Sequence, residues 1–360
     1  MMKESMNRRR FLRTGAAASG GLAAGWGGNF LARAEDVPEV KKTRSYCPAM
    51  DYRRLGGTGV WVSAVCLGGH WKRVPEVIGH KISAVSMPGP GPGLEALRKN
   101  RHGVVTRCLE VGINFVDACT KGEVAIYGEA LKGRRDKMYM GFAMWPECPR
   151  EKKYRTAEAL LAKLEEGLKS AGTDYVDVWR LVASTPGNHT AAEEEEFIKA
   201  FEKAKQQGKA RFTGVSSHGR PWLTRLANTH PEHFQVLLFP YTAKTKELPK
   251  GSLFEAVRKH NIGTFGIKPF ASGSLFRGVD DEAERNRRAR LTIRHILGNP
   301  AITAPIPGLA TVGEVDNMAL AIKESRQLDP KELGELDHMN EQMWAGLPGD
   351  YQWLKDWEYV

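Results

Sequence analysis

A single carboxylate inside an apolar segment is the first candidate for chemistry. Asp117 lies in GINFVDAC, where its apolar neighbours predict burial, and a buried carboxylate needs a partner or a function. Lys121, Glu123 and Tyr127 follow closely. The Lys121 side chain could extend into an active site and donate a proton there. A lysine in a loop is more commonly exposed to solvent, however. For Tyr127, packing in the core is the simpler role.

Two histidines are further candidate acids, because the imidazole pKa lies close to neutral pH. His70 and His218 each follow an apolar run that predicts a strand. A lone histidine in a loop is usually a surface residue, so the site role and the surface role both remain open. We therefore consider Lys121 and His218, together with Asp117, as candidate catalytic groups.

Repeated strand and helix units position these side chains. Eight units in one chain favour a closed (β/α)8 barrel of the α/β class over an open doubly wound sheet, and no G-x-G-x-x-G motif opens the first unit. The barrel is expected to be one domain over 51–325, followed by a C-terminal helix and an aromatic-rich tail over 326–360. Apolar runs predict strands near 62–69, 113–119, 137–144, 175–182, 210–217, 234–241, 263–270 and 302–308. Helical periodicity is clearest over 155–171, 191–207, 251–260 and 283–297.

A long segment interrupts this rhythm after the first strand. Residues 70–93 include a Pro-Gly repeat that fits neither the interior of a helix nor that of a strand. Connections that follow barrel strands lie on the C-terminal face, where barrel active sites form. We therefore expect the insertion to cover that face, as a lid or a binding surface.

The N-terminal residues predict an export signal. NRRRFLR precedes a weakly apolar Gly/Ala-rich run, and LARA then supplies a cleavage site. This order of parts is typical of a twin-arginine signal peptide over 1–34, followed by a linker over 35–50. We expect cleavage after Ala34, the twin-arginine export machinery as a partner, and a periplasmic or extracellular location without stable membrane anchoring.

Charge and cysteine spacing exclude two further classes of function. Six of the basic residues that contribute to the formal charge of +11 lie in the segment 1–34. The remaining basic residues are interleaved with acidic ones, so nucleic-acid binding is not expected. The five cysteines show no metal-ligand spacing, and we predict no metal site. Cys66, Cys108 and Cys119 lie in apolar runs and are expected to be buried.

Seven segments in order resemble the aldo-keto reductase family. They are YRRLGGTGVWVSAVCLGG, GINFVDAC, GEALKGRRDKMYM, DYVDVWRL, GKARFTGVSSH, FGIKPFASGSL and APIPGLATVGEV. The resemblance implies a barrel that begins with an N-terminal hairpin and binds NAD or NADP as cofactor. KPFASGSL is closest to the branch that often carries C-terminal iron–sulfur ligands. No cysteine follows Cys148 here, so no cluster is expected.

The resemblance also assigns a catalytic tetrad, of which one residue is present. In the family a tyrosine donates the proton, a lysine and an aspartate tune it, and a histidine orients the substrate. Asp117 matches the aspartate, whereas the tyrosine, lysine and histidine positions fall on Gly122, Ala143 and Val182. Standard carbonyl reduction is therefore expected to be absent or very slow.

The cofactor segments match the family better. The resemblance implies that a pair of serines contacts the nicotinamide amide, that a turn receives the pyrophosphate, and that the last strand begins the adenosine site. These positions are Ser216, Ser217, Lys268, Pro269, Phe270, Ala271, Gly273, Ser274, Leu275, Pro307, Gly308 and Asn317. Two functions remain open: an exported oxidoreductase that holds its dinucleotide tightly, and a non-enzymatic binding or scaffold protein on the same barrel.

The segment YVDVWRLV predicts an ion pair inside the barrel. Side chains of a barrel strand alternate, so Arg180 should point inward with Val182 while Trp179 points toward the helices. A buried guanidinium needs a counter-ion, and Asp117 is the nearest inward carboxylate. Gly141 and the alanine two residues later leave a path between them. We predict an Arg180–Asp117 pair in the space of the missing lysine and histidine.

Overall fold

The computed structural model describes residues 38–69, 73–83, 85–245 and 251–356. Within them, eight parallel strands follow one another in chain order around a barrel. They are β3 (Leu67–Gly68), β4 (Phe115–Thr120), β5 (Tyr139–Trp145), β6 (Val176–Val182), β7 (Ala210–Ser216), β8 (Val236–Pro240), β9 (Gly263–Ile267) and β10 (Ala304–Ile306). A short antiparallel hairpin, β1 (Tyr52–Arg54) and β2 (Trp61–Ser63), precedes them. The (β/α)8 prediction is confirmed.

The barrel closes between its first and last strands. The amide of Cys66 donates to the carbonyl of Pro305 at 3.1 Å, and that of Gly68 donates to Pro307 at 2.9 Å. A Cβ on Gly68 would lie 2.7 Å from the Pro307 oxygen, so only glycine permits this approach. The hairpin covers the opposite, N-terminal end, where Leu55 is buried among interior residues of the strands.

Helices surround the barrel and supply most of the connections. They are α1 (Val74–Ile78), α2 (Pro92–Val111), α3 (Lys121–Ala130), α4 (Ala157–Ala171), α5 (Ala191–Gln206), α6 (Arg220–Thr229), α7 (Leu253–Lys259), α8 (Glu282–Leu297), α9 (Val312–Lys323) and α10 (Pro330–Ala345). Helix α10 lies in the predicted C-terminal segment 326–360, and a 3-10 helix over Gly349–Asp356 forms the described part of the tail. None of the described helices is both long and apolar enough to cross a membrane.

Residues 38–50 correct the prediction of a linker, since they pack on the barrel. Val40 and Met50 are buried in the main core. The Arg44 guanidinium donates to the carboxylate of Asp177 at 3.1 Å and lies over the Tyr139 ring. The sequence shows no periodicity in this segment, because isolated side chains such as Val40 and Arg44, and not one face of a helix or strand, attach it to the barrel. The predicted signal peptide and residues 35–37 lie outside the described residues.

The cysteines are free thiols, and the three that lie in apolar runs are buried as predicted. Burial raises the pKa of Cys108 to about 12. Among the described residues, no group of three or more His, Cys, Asp or Glu side chains could hold a metal ion.

Candidate functional site at the carboxyl ends of the strands

The predicted ion pair lies at the floor of the barrel mouth. Arg180 Nε donates to Asp117 Oδ1 and Arg180 Nη2 to Asp117 Oδ2, both at 2.7 Å. This parallel geometry is the strongest form of an arginine–carboxylate contact. Trp179 points the other way and packs edge-on against Phe201 of α5. The strand register and the ion pair are therefore confirmed.

A glycine between the two strands makes this contact possible. Gly141 of β5 pairs with Asp117 on one side and Val178 on the other. A Cβ at Gly141 would lie 2.9 Å from the Phe115 ring and 3.4 Å from Asp117 Oδ1. Burial alone would lower the pKa of Arg180, but the charge of Asp117 outweighs it and raises that pKa. Each of the two groups is the counter-ion of the other.

The positions that the resemblance assigns to the family's lysine and histidine lie in apolar packing. Ala143 and Val182 form a small buried cluster with Cys119 and Cys148, flanked by Trp145. Burial raises the pKa of Cys148 to about 11. The Cys148 thiol is therefore protonated near neutral pH.

The insertion packs on Gly122, the position that the resemblance assigns to the family's tyrosine. The amide of Gly122 donates to the carbonyl of Val85 at 3.0 Å. A Cβ at Gly122 would lie 2.7 Å from the carbonyl carbon of Ser86, so no side chain fits there. Arg73 and Val85 line the mouth of the barrel. The described parts of the insertion, 73–83 and 85–93, thus confirm its predicted place on the C-terminal face.

His218 lies at the mouth in contact with the C-terminal tail. Its ring stacks on Trp353, with centroids 4.1 Å apart and planes at 17°. Its Nε2 lies 3.3 Å from the Lys268 ammonium. Burial, Lys268 and Arg150 together lower the pKa of His218 to about 2. At neutral pH the imidazole is therefore uncharged; His218 lines the cavity described below, and its role as a catalytic group stays a prediction.

The other candidate acids lie away from the mouth. Lys121 makes an ion pair with Glu166 on the outer side of α3 and does not line the cavity described below, which corrects its prediction as a site residue. The buried Tyr127 donates to the carbonyl of Gly68 at 3.0 Å and has a packing role, as expected. Glu123 is buried and caps α3, where it accepts the amide of Cys119 at 2.7 Å. His70 lies outside the described residues.

One cavity of about 1130 Å³ opens at this end of the barrel. It runs from the ion pair past the turn after β9 to α8 and the start of α9, and the tail residues Asp350, Tyr351 and Trp353 line its rim. Pockets for drug-sized ligands occupy roughly 300–1,000 Å³, so this cavity has room for a large ligand. The sequence did not predict that Arg150, Arg285 and the tail residues line the cavity. Arg150 reaches it from a loop, Arg285 from one face of α8, and the tail residues from the C-terminal segment.

Eight of the twelve predicted cofactor residues line this cavity. They are Ser216, Lys268, Pro269, Phe270, Gly273, Pro307, Gly308 and Asn317. The amide of Asn317 is already engaged by Arg290 and by the carbonyl of Asn286, at 2.8 and 3.0 Å. Ser217, Ala271, Ser274 and Leu275 are buried outside the lining, which corrects their prediction as direct contacts.

Three of these four corrections have a local cause. The Ser217 hydroxyl donates to the carbonyl of Ser184 at 3.1 Å, which turns it away from the cavity. Ala271 and Leu275 pack against α10. The amides of Ala271 and Gly273 donate to the carbonyls of Lys268 and Phe270 inside the turn, so these two N–H groups are not directed at a ligand.

The turn nevertheless leaves room for close approach of a ligand. Lys268, Ala271, Ser272 and Gly273 all have positive φ, between 44° and 88°. A Cβ at Gly273 would meet nothing within 4 Å, so the backbone faces open space there. Non-glycine residues in this conformation are uncommon and concentrate at ligand sites.

Comparisons with known proteins agree with this geometry. The model of the Aldo/keto reductase family matches residues 98–290. Methylglyoxal reductase DkgB of Salmonella typhi is 31% identical over 200 residues, which cover 53% of this chain and 67% of the relative. L-glyceraldehyde 3-phosphate reductase of Escherichia coli O157:H7 is 24% identical over 66% of this chain and 68% of its own.

Solved structures show the same fold. An aldo-keto reductase from Klebsiella pneumoniae, crystallised with NADPH, superposes with a TM-score of 0.60 at 20% identity. The superposition covers 82% of this chain and 95% of that chain.

Proposed function

The chain belongs to the aldo/keto reductase family, and from this premise we propose that it binds NAD or NADP in the cavity at the carboxyl ends of its strands. The observation that carries the proposal is the continuous lining from β7 across the open turn at Gly273 to α9. A dinucleotide is a large ligand, and a cavity of about 1130 Å³ has the volume for one.

The residues present fit such a ligand in part. The open backbone at Gly273 and the Lys268 ammonium suit the phosphates, and Pro307 and Gly308 suit the nucleoside end. When bound, a nicotinamide dinucleotide supplies or accepts a hydride. The chain itself contributes binding, orientation and exclusion of water, with Trp353 closing one side.

The same geometry argues against the family's acid-catalysed carbonyl reduction. Asp117 is held by Arg180, while Gly122, Ala143 and Val182 offer no proton donor. General acid–base catalysis contributes roughly 10²–10⁴-fold, which this site lacks. The function that the site supports best is dinucleotide binding without that reaction, as in a binding or scaffold protein.

A second candidate is a non-standard oxidoreductase, and one observation favours it. The Arg180 guanidinium lines the cavity and keeps its charge. A fixed positive charge can stabilise negative charge that develops on a substrate oxygen during hydride transfer. The proton would then come from solvent.

Binding is tested by titrating the purified protein with NADPH and with NADH. Gly273→Val should weaken binding about tenfold or more, because the new side chain projects into the cavity. Gly278→Val is the matched control, since Gly278 also has positive φ and open surroundings but does not line the cavity. Failure of the wild-type protein to bind either nucleotide would overturn the proposal.

Turnover is tested separately, by NADPH-dependent reduction of methylglyoxal. We expect a rate about 10²–10⁴-fold below that of an ordinary reductase. An ordinary rate that Asp117→Ala abolishes would show that an acid-catalysed mechanism survives.

We further propose that the protein is exported folded through the twin-arginine pathway, with its dinucleotide already bound. The support is the order of RRRFL, a Gly/Ala-rich run and LARA. The mature protein should begin at Glu35. Lysine at both Arg8 and Arg9 should retain the precursor in the cytoplasm, whereas unchanged export would refute the assignment.

A further inference from the structure

The loop after β10 forms one wall of the cavity. Leu309, Ala310 and Thr311 line it, together with Glu314 in the first turn of α9. Leu309 and Ala310 are buried, so the wall is packed from behind. A wall that is already ordered binds a ligand more tightly than one that must be ordered on binding. The groups that hold this loop therefore bear on the affinity of the cavity.

A buried arginine holds the loop from the side away from the cavity. Arg101 of α2 is fully buried and does not line the cavity. Its Nη1 donates to the carbonyl of Leu309 at 2.7 Å, and its Nη2 donates to that of Ala310 at 2.8 Å. The planar guanidinium suits two neighbouring acceptors, because its donors have a fixed relative geometry. Both carbonyls are thereby directed toward α2.

The neighbouring Asn100 adds a third bond to the loop. Its Nδ2 donates to the carbonyl of Ala310 at 3.0 Å, and its Oδ1 accepts from Arg101 Nε at 2.8 Å. Burial of a guanidinium is costly unless its N–H groups find acceptors, and the two loop carbonyls are among those that Arg101 uses. Movement of the loop would take these acceptors away, so the buried charge opposes it.

Glu314 holds the same loop through the opposite peptide group. Its Oε2 accepts from the amide of Ala310 at 2.6 Å, and its Oε1 accepts from Arg73 of the insertion. The amide of Ala310 is thus held by Glu314, and its carbonyl is held by Asn100 and Arg101. Arg73 lies near the start of the insertion, and α2 begins where the insertion ends. The segments at both ends of the insertion therefore fasten one loop.

We propose that Arg101 is a positioning residue for the dinucleotide, which holds Leu309 and Ala310 as a fixed wall and raises affinity without touching the ligand. The inference rests on the proposed function. The wall follows Pro307 and Gly308, which suit the nucleoside end, so the effect should fall on the adenosine half of the ligand. ADP-ribose carries that half without the nicotinamide and is therefore a second probe beside NADPH.

Calorimetric titration of the purified protein with NADPH and with ADP-ribose tests this role. Arg101→Met keeps a long side chain and removes its donors. It should weaken the binding of both probes by the same factor, about tenfold or more, with the stoichiometry unchanged. Hydrogen exchange over 307–311 should become faster in this variant. Arg101→Lys keeps the charge and one donor group, and it should recover part of the affinity.

A milder variant and a matched control accompany this change. Asn100→Ala removes one bond to the loop from a half-buried position, so it should fold and weaken both probes by a smaller factor, about threefold. Arg107→Met is the control, because Arg107 lies on the same helix and pairs with Asp316 of α9 at 2.6 Å, not with the loop. It should leave the affinity for both probes unchanged.

Faster exchange of the loop in Arg101→Met, with affinities equal to those of the wild type, would overturn the inference and leave the proposed function intact. A lower stoichiometry at constant affinity would give Arg101 a merely structural role. An equal loss in Arg107→Met would assign the effect to the packing of α2 on α9, and a loss for NADPH alone would separate the wall from the adenosine half. If the wild-type protein binds neither probe, the proposed function fails and this inference fails with it.

Discussion

The amide of Gly122 donates a hydrogen bond to the carbonyl of Val85, and this contact fixes the insertion on the first turn of α3. The glycine at the position that the resemblance assigns to the family's tyrosine and the long insertion are therefore structurally linked. The insertion needs the space that a side chain at 122 would occupy, because a Cβ there would lie 2.7 Å from Ser86.

Gly122→Ala should displace the insertion. The added methyl group meets backbone atoms, which cannot rotate away, and overpacking of this kind costs about 1–3 kcal/mol. We expect faster hydrogen exchange and faster proteolysis over 73–93, with the barrel intact. Gly313→Ala in α9 is the control, because a Cβ there meets only the Thr311 hydroxyl at 3.8 Å. Unchanged exchange over the insertion would contradict this account.

The Arg180–Asp117 pair should behave as a unit in a double-mutant cycle. Arg180→Met and Asp117→Asn each leave a buried charge without its counter-ion, which costs about 3–5 kcal/mol. The double variant should be destabilised by less than the sum of the two single changes. Chemical denaturation of the four proteins measures this, and simple additivity would reject the pair.

Acid should weaken the attachment of residues 38–50 through Asp177. Burial alone would raise the pKa of Asp177, but Arg135, Arg44 and Arg211 lower it well below its ordinary value. A carboxyl with a depressed folded-state pKa stabilises the fold above its unfolded-state pKa of about 3.9, and this stabilisation is lost as the pH falls further. Asp177→Asn should cost about 2–4 kcal/mol at pH 7.

The difference in unfolding free energy between wild type and Asp177→Asn, followed from pH 7 to acid, should shrink below about pH 4. Asp174→Asn is the control. Asp174 lies just before β6, the strand that bears Asp177, but it forms no ion pair with a described residue, whereas Asp177 forms three. A difference that stays constant with pH would show that the charge of Asp177 is not the cause.

The barrel and its ion pair could be predicted because both depend on local periodicity. Continuous apolar runs gave the strands, and alternation within YVDVWRLV placed Arg180 inward. Asp117 and Gly141 then followed from strand order, since parallel neighbours in a barrel are consecutive in the chain. These inferences needed no knowledge of loops.

The candidate site was less accessible, because much of it comes from irregular segments. Ser217 lies at the position in the chain that the resemblance assigns to the cofactor site. Its hydroxyl nevertheless donates to the carbonyl of Ser184, in the loop after β6, and so does not face the cavity. Trp353 and Arg150 reach the cavity from a tail and a loop that have no periodicity. Side-chain direction in such segments is set by tertiary contacts, which a single sequence does not show.

The tail should control access to the cavity. Trp353 stacks on His218 at 4.1 Å, and Leu354 beside it is buried in the cluster formed with α10. Trp353→Ala removes the stacked ring but keeps this anchor, so the fold should be retained while the cavity opens. We expect NADPH to associate and dissociate several-fold faster, with a smaller change in affinity, because both directions pass the same rim.

Stopped-flow fluorescence of NADPH binding measures these two rates. Trp344→Ala is a matched control, since Trp344 lies on α10, packs against the same cluster and does not line the cavity. If only the dissociation rate rises, and the affinity falls by the same factor, Trp353 contacts the nucleotide directly and is not a barrier to its entry. Rates equal to those of the wild type would show that the tail does not limit entry.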